Sequence, residues 1–356
     1  MDAQGVDVLL LSVGADLPWL IGYEAMPLER LTMLVVPREG DATLVVPRLE
    51  APRVTERGDL FRLLPWGETE DPLDLVASLV GAAPVAAIGD RTWAQFLVDL
   101  MARTPGTTFR RGSEVTGPLR AVKDAAEVEA LARASAAVDR IAAELQGGQI
   151  PLVGRTEAEL SAELSRRILA EGHHRVNFAI VAAGENAASP HHEAGSRVIR
   201  EGEVVLCDFG GTMLTDDGAG YCSDITRCVH TGEPSTEFAE LYAVLHEAQA
   251  AGVAAGVVGR PAEEVDAAAR DVIAAAGMGE WFIHRTGHGI GVEEHEDPYI
   301  VSGNTEPLVP GNAFSIEPGI YVPGRWGARL EDIVVSTPDG PRSLNEAEHA
   351  LVAVDA

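Results

Sequence analysis

A chain of 356 residues exceeds the roughly 300 at which a single hydrophobic core stops growing, so two domains are expected. With 46% hydrophobic and 23% charged residues it has the make-up of a globular protein and not of a disordered one. A formal net charge of −28 without a basic patch excludes phosphate backbones and anionic membrane surfaces, so neither nucleic acid nor membrane is expected as a partner. The N-terminus is acidic (Asp2, Asp7), and its apolar stretch Val8 to Ile21 is broken by Asp16 and Pro18, which does not read as a signal peptide. Three cysteines (Cys207, Cys222, Cys228) leave an odd thiol in any pairing scheme and form no CxxC knuckle, which predicts a reducing, cytoplasmic location.

Residues 1 to 118 read as a small α/β domain. Val6 to Leu11, Thr32 to Val36, Thr43 to Val46 and Val85 to Ile88 are strand-like, and Leu73 to Val80 and Trp93 to Met101 carry helical spacing. The stretch "TMLVVPREGDATLVVP" predicts a hairpin turning at Arg38 to Asp41. A junction near Pro118 precedes a second domain over 119 to 356. Its first helix repeats Val128, Leu131, Val138 and Leu145 along one face, and its second, to Ala170, starts with the capping box Thr156 and Glu159. Further helices are predicted over about Glu237 to Ala255 and Pro261 to Ala276. Strands are predicted over Val204 to Phe209, Tyr221 to Thr231, Phe314 to Glu317 and Leu330 to Ser336. Helices flanking an antiparallel sheet make this half α+β.

Four of these strands carry acids where strands are ordinarily apolar: Asp208, Asp224, Glu317 and Glu331. Buried together without partners, they would suffer desolvation and mutual repulsion and hold their protons. A pair of divalent cations removes the repulsion, and His288 in the glycine-rich "TGHGIG" supplies a neutral nitrogen. Taken singly, each acid also reads as a hairpin-edge residue or as the ion-pair partner of Arg227, Arg325 or Arg329.

Taken in order, the motifs "PLRAVKDAAEVE", "DFGG" to "GYCSDITR", "HRTGHGIGVEEHEDP", "SIEPGIYVPG" and "RLEDIV" resemble the pita-bread metallopeptidases, which include prolidase, aminopeptidase P and methionine aminopeptidase. The resemblance implies a C-terminal pita-bread catalytic domain preceded by a creatinase-like N-terminal domain. It implies two metal ions, with Asp208 on one, His288 and Glu317 on the other, and Asp224 and Glu331 bridging both. It points to manganese first and cobalt second, while the ligand chemistry alone also admits zinc or iron. Two metals activate a bridging water and polarise a substrate carbonyl, and Glu317 is the implied proton shuttle. His191 in "SPHHEAG" and His295 match positions that contact substrate and stabilise the tetrahedral intermediate in the proline-directed branches. His192 adjoins His191, and His191 is preferred as the inward residue because it follows Pro190. His284 either shapes the substrate cleft or buttresses it. Arg329, two residues before Glu331, is expected on the same strand face as a partner of the bridging carboxylates.

Asp208 and Asp224 stand sixteen residues apart, more than is usual in the family, so "TMLTDDGAG" reads as a lengthened hairpin tip; Asp216 or Asp217 is the alternative first ligand. The segment "ADLPWLIGYE" resembles one found early in prolidases, aminopeptidases P and creatinases, with Trp19 in place of a tyrosine. The branch implied is therefore an Xaa-Pro dipeptidase or aminopeptidase, acting as a homodimer on peptides with proline in the second position. A pita-bread hydrolase or lyase acting on a small compatible solute is the alternative.

Overall fold

The computed structural model describes residues 1–55 and 57–355, and the chain falls into two compact units. The first comprises Met1–Arg120 together with Leu214–Gly220. Its sheet contains β1 (Val8–Leu11), β2 (Met33–Pro37), β3 (Ala42–Pro47), β4 (Phe61–Trp66), β5 (Val85–Ile88) and β6 (Thr108–Arg111), in the order β4-β3-β2-β1-β5-β6. The hairpin β2–β3 turns between Pro37 and Ala42, as the apolar runs predict. Pairs β3–β4, β1–β5 and β5–β6 are parallel, and the crossovers into β5 and β6 run through α2 (Pro72–Val80) and α3 (Ala94–Arg103). These helices bury Val76, Val80 and Leu100 against one face of the sheet. The other face packs with Leu17 of α1 (Asp16–Ile21) and Val115 of α4 (Ser113–Arg120). Sequence periodicity misses β4, β6, α1 and α4, which are short and, in α1 and α4, contain proline. The hairpin tip nests here so closely that a Cβ on Gly22 would lie 2.1 Å from the Asp217 carbonyl oxygen, and one on Gly218 2.6 Å from that of Gly22.

The second unit comprises Ala121–Met213 and Tyr221–Ala356. It opens with α5 (Ala125–Gln146), whose N-cap Asp124 forms a capping box with Glu127, and α6 (Glu157–Ala170), capped by Thr156 and Glu159 as predicted. Both helices pack on one face of a sheet ordered β18-β10-β8-β7, formed by β7 (Arg175–Ala183), β8 (Val204–Leu214), β10 (Ile225–Thr231) and β18 (Val352–Val354); a short β9 (Gly220–Cys222) also pairs with β8. Of the stripe the sequence shows, Leu131, Val138 and Leu145 of α5 are fully buried and Val128, in the first turn, is half-buried. Strand alternation sends Val205, Cys207 and Phe209 toward these helices, and Leu206 to the opposite face, on which Asp208 also lies. All three cysteines are free and buried.

That opposite face packs on α7 (Thr236–Ala255) and α8 (Ala262–Ala275). A second, wholly antiparallel sheet follows, ordered β12-β11-β13-β16-β17, from β11 (Gly287–Gly289), β12 (Glu296–Ile300), β13 (Ala313–Ile316), β16 (Asp332–Thr337) and β17 (Gly340–Ser343). A separate hairpin is made by β14 (Gly319–Val322) and β15 (Trp326–Arg329).

Three strand expectations need correcting. The run Tyr221 to Thr231 is broken at Ser223–Asp224, although the Ser223 amide still donates to the Gly211 carbonyl oxygen in the register of the β8–β10 pair. Glu317 lies just past the end of β13, its amide donating to the Thr286 carbonyl oxygen at 2.8 Å. Leu330 and Glu331 belong to no strand: the chain changes sheets between Arg329, which ends β15, and Asp332, which begins β16. Arg329 and Glu331 therefore do not share one strand face by alternation. At that changeover Glu331 forms a lone bridge to Thr226 of β10, which ties the two sheets together.

Candidate active site

The five residues expected to bind metal come from different elements and meet in one cavity of about 540 Å³. Asp208 lies on β8, Asp224 in the break between β9 and β10, His288 on β11, Glu317 after β13 and Glu331 in the link before β16. Ligand atoms of Asp224, His288 and Glu331 lie within 4.8 Å of one another. His288 Nε2 is 3.3 Å from a Glu317 oxygen and 3.9 Å from one of Asp224. Its other ring nitrogen, Nδ1, is 3.1 Å from the Gly289 carbonyl oxygen, which can only accept. The proton therefore sits on Nδ1, and the Nε2 lone pair faces the acids, the form a metal requires.

Glycine makes room for His288. A Cβ on Gly287 would stand 1.8 Å from the Ser315 carbonyl oxygen, so β11 reaches its neighbour only without a side chain there. Ser315 Oγ accepts from the His288 amide and donates to Glu317, joining two of the five residues.

Asp208, Asp224, Glu317 and Glu331 are accompanied by one buried guanidinium, that of Arg329, which is 3% exposed, while Arg285 lines the cavity as an exposed residue. Arg329 pairs with Asp208 through Nη2, and its Nε donates to Thr226 Oγ1, which in turn donates to Glu331 at 2.7 Å. Of the arginines considered as partners for these acids, Arg227 instead pairs with Asp332 and Arg325 with Glu237. One positive charge cannot balance four carboxylates. Burial first, then the charges of Glu331, Asp208 and Glu317, hold the Asp224 carboxyl far above the usual range. Burial followed by Glu317 and Asp208 does the same to Glu331. Glu317 is raised chiefly by burial, against the pull of His284 and Arg329. Burial pushes His288 down to about 4, so its ring is neutral at pH 7. Most tellingly, one oxygen of Asp208 and one of Asp224 are buried with no hydrogen-bond partner among the described residues. Buried carboxylate oxygens are almost always satisfied, and an oxygen-rich set with one neutral imidazole is what a divalent transition-metal ion takes.

Around this cluster the cavity is lined by His191, His284 and His295, with Phe178, Ile180 and Ile283 as an apolar wall. His295 is exposed at the cavity mouth, its ring centroid 3.9 Å from that of His288. His191 also faces the cavity, whereas His192 turns away and bonds to Glu157. His284 has both nitrogens occupied: Nδ1 donates to the Arg285 carbonyl oxygen, and Nε2 accepts from the Tyr321 hydroxyl at 2.9 Å. Its contact with the centre is therefore through Tyr321, whose oxygen also accepts from Arg329. Asp216 and Asp217 do not line the cavity.

Sequence reasoning misses Tyr321, Thr226 and Ser315, which orient the charged groups. Tyr321 stands inside "SIEPGIYVPG", a quoted motif, but a tyrosine on a strand carries no distinguishing signal. Phe178 and Ile180 escape because β7 is not predicted at all.

Residues 124–338 match the model of metallopeptidase family M24, and residues 1–122 match the creatinase/prolidase N-terminal domain. The chain belongs to family M24. It is 47% identical over 354 residues to the probable dipeptidase PepE of Mycobacterium tuberculosis, covering 98% of this chain and 92% of that protein. It is 36% identical over 359 residues to the Xaa-Pro dipeptidase of Lactobacillus helveticus, covering 97% and 94%. The crystal structure of prolidase from Thermococcus sibiricus superposes with a TM-score of 0.92 at 35% identity, covering 99% of this chain and 96% of that one. The M24 assignment makes this a metal-dependent peptidase of the pita-bread fold, and divalent metal ions belong to its site. Among the described residues no helix is long and apolar enough to cross a membrane.

Proposed function

We propose that this M24 peptidase hydrolyses the Xaa-Pro bond of dipeptides or short peptides with two divalent ions held by Asp208, Asp224, His288, Glu317 and Glu331. The observation that carries the reading is the pair of buried, unpartnered oxygens on Asp208 and Asp224, within a cluster of four acids and one neutral imidazole. When bound, the metals supply Lewis acidity that activates water and polarises the scissile carbonyl. Glu317 carries the proton between water and leaving amine, from a carboxyl that burial raises above its ordinary range. Arg329 holds Asp208 and, through Thr226, Glu331 in register. His191 and His295 bind substrate and stabilise the developing oxyanion from the open side of the cavity. His284 shapes the cleft by fixing Tyr321.

The dipeptidase and Xaa-Pro dipeptidase names of the mycobacterial and Lactobacillus relatives support the substrate class. The division into an N-terminal domain over 1–118 and a catalytic domain over 119–356 belongs to the same reading, as do manganese as the native metal, a homodimeric assembly and a cytoplasmic location. The test is hydrolysis of Ala-Pro and Ala-Pro-Ala by manganese-loaded protein, with metal content measured on the same sample. Cleavage of Ala-Pro with two ions per chain is expected. Metal-loaded protein that cleaves neither peptide overturns the substrate assignment in favour of a compatible solute, and two ions that never bind overturn the centre.

A further inference from the structure

Glu157 has no part in the chemistry above, yet its side chain is fully buried and hydrogen-bonded to four residues. It is the first residue of α6, where the helix N-terminus favours a negative charge. Its Oε1 accepts from the Ala183 amide at 2.9 Å and from Asn186 Nδ2 at 3.0 Å. Its Oε2 lies 2.8 Å from His192 Nε2 and 3.4 Å from the Gly195 amide. An ionised carboxylate only accepts, so His192 Nε2 donates. The four partners fall on both sides of His191, at the two ends of one excursion from the end of β7 to the backbone pairing of Gly195 and Arg197 with the start of α6. Burial alone would push the Glu157 carboxyl up, but these donors hold it below the usual range.

His191 needs such support. Its own side chain makes no hydrogen bond among the described residues, and the residue is exposed at the cavity. Its backbone is held by the Arg329 bond to the Pro190 carbonyl oxygen at 3.3 Å, by a turn in which the His192 amide donates to the Ser189 carbonyl oxygen at 3.2 Å, and by the anchored His192 side chain.

We propose that Glu157 is a positioning residue that, through His192, holds the 183–195 loop so that His191 faces the substrate. This rests on the reading of His191 given above. Two variants test it in metal-loaded enzyme: Glu157→Gln, and His192→Asn, which leaves the buried carboxylate with Ala183, Asn186 and Gly195 should the first fail to fold. Each is expected to lower kcat/KM for Ala-Pro on the order of 10- to 100-fold, as small misplacements of substrate-binding groups do, with metal content unchanged. In a His191→Ala background the same changes should add less than about twofold, because the residue they position is already gone. Hydrogen–deuterium exchange should speed up across 184–194 and stay unchanged in β8 and β13. Losses that multiply undiminished with that of His191→Ala overturn the inference alone. A His191→Ala enzyme at wild-type activity overturns the role of His191 and the inference with it. The exchange measurement needs no substrate, so unaltered protection over 184–194 in either folded variant overturns the clamp even if Xaa-Pro hydrolysis is absent.

Discussion

Replacing Arg227 by methionine probes the junction on which the centre is built. Arg227 is fully buried and spends its guanidinium on five bonds: Nε to the Glu348 carbonyl oxygen, Nη1 to those of Thr226 and Glu331, and Nη2 to Asp332 Oδ1 at 2.8 Å and the Ala347 carbonyl oxygen. Methionine fills much of the volume but leaves Asp332 charged and partly unpaired, with only Gln249 at 2.9 Å and His349 at 2.6 Å. Removing one partner of a buried ion pair costs about 3–5 kcal/mol, and at about 2–4 °C per kcal/mol for a unit of this size the melting temperature should fall by about 6–20 °C. The pH dependence carries a second signature. Asp332 is held below the usual carboxylate range by His349 and Arg227 despite its burial, so it stabilises the fold above its unfolded pKa of about 4, and that stability is lost as pH falls through the folded value. Without Arg227 part of this depression goes, and the deficit of the variant should be widest near neutral pH and narrow in acid. Scanning calorimetry from about pH 2 to about pH 8 measures both. A melting temperature within about 2 °C of wild type at pH 7 would refute the reasoning, since the lost ion pair alone predicts more.

Four further outcomes are expected. Glu317→Ala should abolish turnover while leaving the far-ultraviolet circular dichroism unchanged; wild-type kcat in that variant ends its assignment as proton carrier. Because burial and their acidic neighbours raise the Asp224 and Glu331 carboxyls without metal, manganese binding should release protons, read by titration calorimetry in buffers of different ionisation enthalpy; identical heats in all buffers contradict it. The same raised values mean that EDTA-treated protein gains stability as pH falls through them, until the unfolded carboxylates also protonate near about pH 4. Gly287→Ala, with its Cβ driven against the Ser315 carbonyl oxygen, should displace β11 and cost metal affinity, and full metal occupancy at wild-type affinity in a folded variant argues against that steric account.

How much of this was legible in the residues depended on the kind of signal. The acids stood out because aspartate and glutamate inside strand-like runs conflict with local preference, and such conflicts gather at functional sites. Long amphipathic helices such as α5 announced themselves by period. Short elements did not: β11 has three residues, and β7 carries no alternation that separates it from a loop. The change of sheets at Leu330–Glu331 was hidden because "RLEDIVV" looks like one uninterrupted strand, and only pairing with Thr226 reveals the switch. Groups that act by orientation, Tyr321 and Thr226 among them, were invisible because their identity is ordinary and their importance lies in where distant chain places them. Glu157 lies between the capping residues Thr156 and Glu159, and nothing local marks its side chain as turning inward.

The membership of Leu214–Gly220 in the first unit means that the polypeptide is threaded there twice, once as its opening 120 residues and once as a ribbon seven residues long. Severing the backbone near residue 120 would therefore not yield two independent pieces. A fragment starting at Ala121 would retain this ribbon but lack Gly22, whose missing side chain leaves the recess for Asp217. Grafts of the first unit onto a homologue should therefore carry Leu214–Gly220 along with residues 1–120.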